Sequence, residues 1–519
     1  MTPLSPTKAN GHTTARSSHT TRTAFDGAKQ MEHPVISLQS KLLLGGTLIV
    51  AASLRYADLG GHSLTFDEIY VVKIVLSRWQ DLFSVLRTAE FHPPLYYLLM
   101  KMWIGIAGLS DATLRIPSAS FSLASVILTY LLLRRVAPES VSLMSAFFVA
   151  VSPFEVMAAQ EARMYALLTA LTLASTVVLS RSVEEDQTVR WVAYSLLAAA
   201  IVYTQYLGIF VLIAHGAWVV WFERAHLRKF SAAMIGAALL YLPWVPSLLT
   251  QLGHSPVGGL EQITVRDVSH LFGLFSFGGS LFGMPSYTFN DTPLGLVEES
   301  ILLAPFLLVI WCGAASMLRD RRRLAFLGLP FLVPIGATLI ISTVRPFFAR
   351  WLSFVVPFYA AFVAQGVLDV GERFRDHCGR VAAGLLAGLL LYSVPVLGRY
   401  YRDPNFFPFQ WREQAALVRK QVEPGDGFLF GTATNAIAFT YYFGVSQPQM
   451  VLFPNPDFAA VRQLGRHRRV WLVVAPPFGE RMLVQTLPEL QRAFVLVGHS
   501  PNHQPPVFPM VYLFQPKGI

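Results

Sequence analysis

Residues 63–70 read SLTFDEIY, with two adjacent carboxylates, Asp67 and Glu68, just past the first long apolar run of the chain. What that run is decides the fold. Of 519 residues, 53% are apolar and 14% charged. Several apolar runs reach the roughly 20 residues a helix needs to cross a bilayer. This is the pattern of an α-helical multi-pass membrane protein and excludes a soluble globule. The net charge of +10 then reads as loop Lys and Arg rather than a nucleic-acid footprint, so no nucleic-acid partner is expected. Cys312 and Cys378 offer neither a disulfide framework nor metal-ligand spacing.

Outward from that stretch, residues 1–40 are rich in Ser, Thr, His and Gly and are expected to form a disordered cytoplasmic tail. The first apolar run reads as an uncleaved anchor. About eleven spans are expected, at 42–58, 113–133, 141–153, 163–180, 191–204, 206–222, 231–250, 297–318, 324–343, 351–368 and 381–397. The basic clusters LRR (133–135), RAHLRK (224–229), RDRRR (319–323) and RFRDHCGR (373–380) share one side if the N-terminus is inside, which makes that side cytoplasmic. The 181–190 loop, with three acids and two arginines, fits weakly. An odd number of spans puts the C-terminus outside, at a cell (inner) membrane, on the periplasmic or extracellular face. The transmembrane module is 41–397, with a first outer loop at 59–112 in which 67–83 and 95–109 are expected to lie as helices on the membrane surface. From 398 to 519, helix-like segments (411–422, 456–464, 478–491) alternate with strand-like ones (427–431, 469–474, 493–498, 510–514), as in a small external α/β domain. It has no GxGxxG, and no nucleotide is assigned to it.

The informative charges are those on the outer side. Arg115, Arg163, Arg345 and Arg350 fall at outer ends of spans, with Asp67, Glu68, His92 and Glu161 beside them. Ionisable groups near a bilayer usually face a cavity and pair there. Arginine matches phosphate oxygens with two parallel hydrogen bonds, so the set suggests a site for an anionic, lipid-borne substrate. Plainer readings stand beside this one. Thr65 to Glu68 fits a helix capping box. Arg345 and Arg350 fit snorkelling anchors. Glu161 and Arg163 fit a mutual ion pair, and His92 a loop residue before Pro93 and Pro94.

The segments FDEIY, HPPLYYLL, LRIPSA and SPFEVMAAQEARMYAL, in that order, resemble the bacterial branch of the GT-C glycosyltransferases. The chain is similar to family 39, which holds the dolichyl-phosphate-mannose protein mannosyltransferases and the lipid A aminoarabinose transferases. The likeness covers roughly residues 40–220; FFARWLSFVVPF and WREQAALVRKQVEPGD add to it downstream. It implies a GT-C fold and an inverting transferase that moves a sugar from a polyprenyl-phosphate donor to an acceptor hydroxyl at the outer membrane face. It implies Asp67 as catalytic base and Arg115 as a donor-site residue. The aminoarabinose branch has lysine where this chain has His92, and the external domain is unlike that of the eukaryotic mannosyltransferases. Sugar and acceptor (lipid, glycan or protein) stay open.

On this reading Asp67 takes the acceptor proton, Glu68 or Glu161 orients base or acceptor, and His92 with Arg115, Arg163, Arg345 and Arg350 holds the donor phosphate. No cofactor is expected. A divalent ion bridging Asp67 and phosphate is chemically compatible, but no His, Asp or Glu spacing requires it, so no metal is predicted. The rival reading is a polyprenyl-lipid or glycolipid transporter or flippase; against it, the charges sit at the rim and no internal repeat is visible.

Overall fold

The structure, a computed structural model, describes residues 37–253, 265–278, 296–343, 348–374, 377–403, 406, 409–444, 449–451, 468–475, 488, 490–492, 494–499 and 509–517. Residues 1–36 of the tail expected at 1–40, Arg345, the helix expected at 456–464 and most of that at 478–491 lie outside the described residues, and residues 38–40 belong to the first described helix.

The described helices, in order, are α1 (Leu38–Tyr56), α2 (Phe66–Leu76), α3 (Trp79–Thr88), α4 (Leu95–Ala107), α5 (Asp111–Leu133), α6 (Glu139–Val151), α7 (Pro153–Ala159), α8 (Tyr165–Glu185), α9 (Thr188–Thr204) and α10 (Ile209–Phe222). After these come α11 (Leu227–Tyr241), α12 (Val245–Gly253), α13 (Val265–Phe277), α14 (Leu296–Met317), α15 (Arg321–Ile341), α16 (Val356–Glu372), α17 (Cys378–Leu391), α18 (Ser393–Arg402), α19 (Trp411–Gln421) and α20 (Ala433–Phe443). Each of the eleven apolar runs lies on one of these helices or on a consecutive pair. Among the described residues seven segments are long and apolar enough to cross a membrane, eight if the bent pair α6–α7 counts as one, and α4, α9 and the segment Tyr206–Phe222 are shorter apolar helices. The chain is a multi-pass membrane protein.

The 60° bend between α6 and α7 has a local cause. Pro153 has no N–H to continue the ladder, and its ring drives Ser152 out of helical geometry. Two carbonyls at the end of α6 lose their partners. Arg55 of α1 replaces them, donating to Ala150 O at 2.8 Å and Val149 O at 3.0 Å, with Nε on Ser122 Oγ at 2.9 Å. The outer-loop segment 67–83 is not one helix. It breaks at Ser77 between α2 and α3, where Lys101 Nζ donates to Val75 O at 2.8 Å and Ser77 O at 2.6 Å. Helices α14 and α16 touch backbone to backbone: a Cβ on Gly366 would lie 1.8 Å from Val309 O, and one on Gly313 2.4 Å from Phe362 O. Only glycine permits that approach.

The basic clusters meet at one end of the bundle. Arg135 pairs with Glu184, Lys229 with Asp186 and Arg322 with Glu223. Arg115 sits near the start of α5 and Arg134 just past its end. At 1.5 Å per residue they are about 28 Å apart, close to a hydrocarbon core thickness. The outer-side residues therefore gather at the opposite end.

Beyond α18 the chain builds a five-stranded mixed sheet from β1 (Gly427–Phe430), β2 (Gln449–Val451), β3 (Val470–Val474), β4 (Phe494–His499) and β5 (Met510–Pro516), in the order β2-β1-β3-β5-β4. Pairs β1–β2 and β1–β3 are parallel; β3–β5 and β4–β5 are antiparallel. The expected strands are present; β2 and α20 are additional. One apolar layer joins this sheet to the outer loop, with Trp411, Phe428, Phe439 and Trp471 in the same cluster as Ile69, Val72, Tyr96 and Trp244.

Replacing Arg55 with Met should leave the carbonyls of Val149 and Ala150 buried without donors. The expected cost is about 3 kcal/mol, read as a lower melting temperature in detergent. Parent-like melting would show that the bend holds without its guanidinium.

Candidate active site

The outer loop enters α2 through the expected capping box: Glu68 N donates to Thr65 Oγ1 at 3.3 Å, and Thr65 N donates to Glu68 Oε2 at 2.8 Å. Successive helical residues point about 100° apart. Asp67 and Glu68 therefore face different surroundings and do different things.

Glu68 is fully buried. Its Oε1 accepts from Arg115 Nε at 2.8 Å and Ala162 N at 2.9 Å, and its Oε2 from Arg115 Nη2 at 2.9 Å. Burial alone would raise this carboxyl, but Arg115 and the two backbone N–H groups hold it below the usual range. The remaining Arg115 donors go to Leu59 O at 2.8 Å, His62 O at 3.1 Å and Ser63 O at 3.2 Å. All five guanidinium N–H groups are thus committed to protein acceptors.

Asp67 is more open, its side chain 30% exposed. Its Oδ2 accepts from Arg350 Nη2 at 2.6 Å, and Oδ1 has no protein partner among the described residues. Burial would raise this carboxyl; Arg350, Arg163 and His92 outweigh it and keep it below the ordinary range. Arg350 lies on the turn Ala349–Val355 that leads into α16. Its Nη1 donates to Glu161 Oε1 at 3.3 Å, and its guanidinium lies over the rings of Phe348 and Tyr165, 5.3 and 5.8 Å from their centroids. One arginine thus spans two carboxylates.

Glu161 and Arg163 sit in the turn after α7. They do not form the mutual ion pair that the sequence allowed: the Glu161 carboxylate pairs with Arg350 instead, and Arg163 N donates to Glu161 O along the backbone at 2.7 Å. Burial pushes Glu161 up to about 7, with Arg350 opposing and Asp67 and Glu68 adding to the rise. Arg163 is 4% exposed, yet its guanidinium makes no ion pair or hydrogen bond among the described residues. The Tyr165 hydroxyl, also buried, is likewise without a hydrogen-bond partner among the described residues; the buried Tyr97 hydroxyl lies beside the Glu90 carboxylate, and both tyrosines interact electrostatically with Arg163. Unsatisfied polar groups in one buried place are costly unless something else occupies it.

His92 completes the group. Its Nδ1 is 2.6 Å from Glu90 Oε1. Glu90, Tyr97 and Tyr165 were not singled out from the sequence. Each lies within three residues of a motif position, Glu90 before His92, Tyr97 after Pro93-Pro94 and Tyr165 after Arg163, which was the available signal. Arg345 lies outside the described residues. Among the described residues no group of three or more His, Cys, Asp or Glu side chains is placed to hold a metal ion.

Comparison with known proteins places this geometry in a class. The family model described as dolichyl-phosphate-mannose-protein mannosyltransferase matches residues 91–249, less than a third of the chain. No curated protein matches it. Among solved structures, ArnT from Cupriavidus metallidurans in the apo state is similar at 13% identity, with 90% of this chain and 96% of that one covered and a TM-score of 0.58. The same protein bound to undecaprenyl phosphate aligns at 13% identity over 92% and 98% of the two chains, with a TM-score of 0.54. The Archaeoglobus fulgidus oligosaccharyltransferase in complex with Zn and sulfate is similar at 11% identity, covering 91% of this chain and 72% of that one, with a TM-score of 0.56. The chain has the GT-C fold. The family match is to part of the chain, and the shared fold extends over nine-tenths of it.

Two stability measurements separate the arginines. Glu68→Gln breaks a buried, fully hydrogen-bonded pair and should cost about 3–5 kcal/mol. Arg163→Met strands no hydrogen-bonded partner and should cost far less; equal losses would contradict the division of roles. Glu161 gives a pH test. Its folded value, about 7, lies above its ordinary 4.5, so its contribution to stability is full below about 4.5 and is lost as pH rises through about 7. The melting temperature should decline over that window in the parent and decline less in Glu161→Gln.

Proposed function

We propose that the chain transfers a sugar from a polyprenyl-phosphate donor to an acceptor hydroxyl, with inversion, at the site formed by Asp67, Arg163 and Arg350. The observation that carries this reading is Arg163, a buried guanidinium without a hydrogen-bond partner among the described residues, flanked by the buried hydroxyls of Tyr97 and Tyr165. An anion with several acceptor oxygens satisfies all three, and a phosphate at a membrane face has that form. ArnT from Cupriavidus metallidurans, which shares the fold, has been crystallised with undecaprenyl phosphate.

The acceptor oxygen attacks the anomeric carbon from the side opposite the phosphate, and its proton passes to Asp67 Oδ1. The bond between the anomeric carbon and the phosphate oxygen breaks, leaving an added negative charge on the lipid phosphate. Arg163, with the Tyr97 and Tyr165 hydroxyls, is preorganised for that charge and need not reorient as it develops. Arg350 keeps Asp67 ionised and fixes its direction. Glu161 is the second carboxylate on Arg350 and helps orient it. Glu68 and Arg115, which the sequence placed in the reacting and phosphate-holding sets, take a scaffold role here, because their polar atoms are already committed to protein.

The acceptor is a lipid, glycan or protein hydroxyl. The site lies on the face away from the basic clusters, which the charge pattern makes the periplasmic or extracellular side of the cell membrane. The unit from about 398 onward packs on that same face, although the helix before it runs on to Arg402.

The test is transfer from a polyprenyl-phosphate sugar by purified protein. Asp67→Asn should abolish turnover while donor binding persists. Arg163→Ala should raise the donor KM about ten- to a hundred-fold, as expected for a lost charge-assisted contact. Parent-like turnover in Asp67→Asn would remove it as the base.

A further inference from the structure

We infer that Glu161 is a positioning residue that keeps the phosphate's place on Arg350, an assignment that rests on the function proposed above. In the resting site its carboxylate occupies Arg350 Nη1. When the lipid phosphate binds, Glu161 takes up a proton from water in a small cavity behind it and yields that edge of the guanidinium. The two carboxylates on Arg350 are not held alike. Asp67 Oδ2 lies 2.6 Å from Nη2, whereas Glu161 Oε1 lies 3.3 Å from Nη1. The Glu161 contact is the longer and therefore the weaker one. Its other oxygen, Oε2, makes no hydrogen bond among the described residues.

A polar cavity with room for about one water molecule lies against Glu161, and neither Asp67 nor Arg350 lines it. Thr65, Gln160 and His62 share its wall with Glu161 and give a held water the partners it needs. His62 is itself part-exposed to solvent. The cavity thus offers protons to a carboxyl that is otherwise buried. Nothing but the proton moves: it passes from water to the Glu161 carboxylate, and one unit of the charge brought by the phosphate is offset.

The surrounding charges set the direction. Burial raises the Glu161 carboxyl to about 7; Arg350 and Arg163 oppose the rise, and Asp67 and Glu68 on α2 add to it. Tyr96 on α4 and Tyr165 on α8 also interact with it. Across the cavity, Arg115 is paired with Glu68, and burial and Arg115 hold His62 below its ordinary value, uncharged at neutral pH. An anion on Arg163 and Arg350 offsets the two cations that favour the ionised form of Glu161, so its affinity for a proton rises further. Once neutral, Glu161 no longer competes with the phosphate for Nη1.

The probe is undecaprenyl phosphate, titrated into the purified full-length protein and followed by tryptophan fluorescence. Glu161→Gln keeps an oxygen for Arg350 and is neutral at every pH, like the protonated state. The Kd of the parent divided by that of the variant should be near one at about pH 6, where Glu161 is already protonated in the free protein. It should rise toward about tenfold by about pH 8.5, the effect of a shift of about one pKa unit on binding. Ionisation of the probe's own phosphate is common to both proteins and cancels in the ratio. In the infrared difference spectrum at about pH 7.5, adding the probe to the parent should produce the carbonyl band of a protonated carboxyl, and Glu161→Gln should lack it. A ratio independent of pH would overturn the inference and leave Glu161 a fixed orienting group, and so would a parent spectrum without that band. Arg163→Ala separates this failure from failure of the proposed function. If it binds the probe as the parent does, the phosphate is not held here and both readings fall. If it binds at least about tenfold more weakly while the ratio for Glu161→Gln stays flat with pH, the assignment of Glu161 alone fails.

Discussion

The buried pair of Glu68 and Arg115 is the constraint on which the outer site depends. Two charges taken from water are stable together only if every remaining lone pair and proton finds a partner. Here they do. The Glu68 carboxylate takes the Thr65 N–H at the head of α2, the Arg115 fork from α5 and the Ala162 N–H from the turn after α7. Arg115 returns the connection to the loop through the carbonyls of Leu59, His62 and Ser63. Three elements far apart in sequence are thus locked at one point. Asp67 is the next residue on one of them, and Glu161 and Arg163 flank Ala162 on another. Their positions follow from a pair whose own polar atoms are already committed to protein.

The second arginine pair works by the opposite logic. Arg350 shares its guanidinium between Asp67 and Glu161, while Arg163 has charge without contact. Asp67 and Glu90 offset the charge of Arg163 at a distance, but a buried guanidinium without hydrogen-bond partners still leaves its N–H groups unsatisfied. The turn that carries Arg163 is fixed by Glu68 through Ala162 and by the bend that Pro153 imposes before it. The fold thus supplies a rigid frame, and in the proposed function an anion supplies the missing partner. Glu161 sits between these regimes: its carboxyl, about 7, lies far above that of Asp67 although both touch the same arginine. Asp67 is solvated on one side and has Arg163 and His92 near it, whereas Glu161 is buried beside two other carboxylates.

Much of this was legible in the sequence, for reasons that are physical. Apolar runs and basic loops are long-range averages, so the helices and the common face of the clusters at 133–135, 224–229 and 319–323 could be read directly. The capping box at Thr65 is local and could be read too. What could not be read is which cation meets which carboxylate. Arg115 and Arg163 look alike in one dimension, each at an outer span end beside apolar neighbours. Only the fold shows that the first is consumed by Glu68 and three carbonyls and the second is not. The break at Ser77 was also hidden, because the donor that satisfies its carbonyls, Lys101, comes from another helix. Glu90 was passed over because a single acid in a loop carries no pattern until a histidine is found against it.

The segment beyond α18 belongs to the same mechanics. Residues 60–64 have too few apolar side chains to form a core of their own, and Arg115 grips them from one side only. The other side is held from the C-terminal unit. Arg412 donates to Gly60 O at 2.9 Å and Gly61 O at 2.6 Å, Ser63 Oγ donates to Glu413 at 2.6 Å, and the Tyr442 hydroxyl accepts from Leu64 N at 2.8 Å while donating to Asp111 at 2.7 Å. A loop held between a buried ion pair and a second folded unit has little freedom left. The carboxylate that follows it is therefore held in one orientation, which its proposed role as a base requires, since a small displacement of the base costs rate steeply. Among the described residues the C-terminal unit contributes none of the charged groups clustered around Asp67, but the direction in which that carboxylate points depends on it.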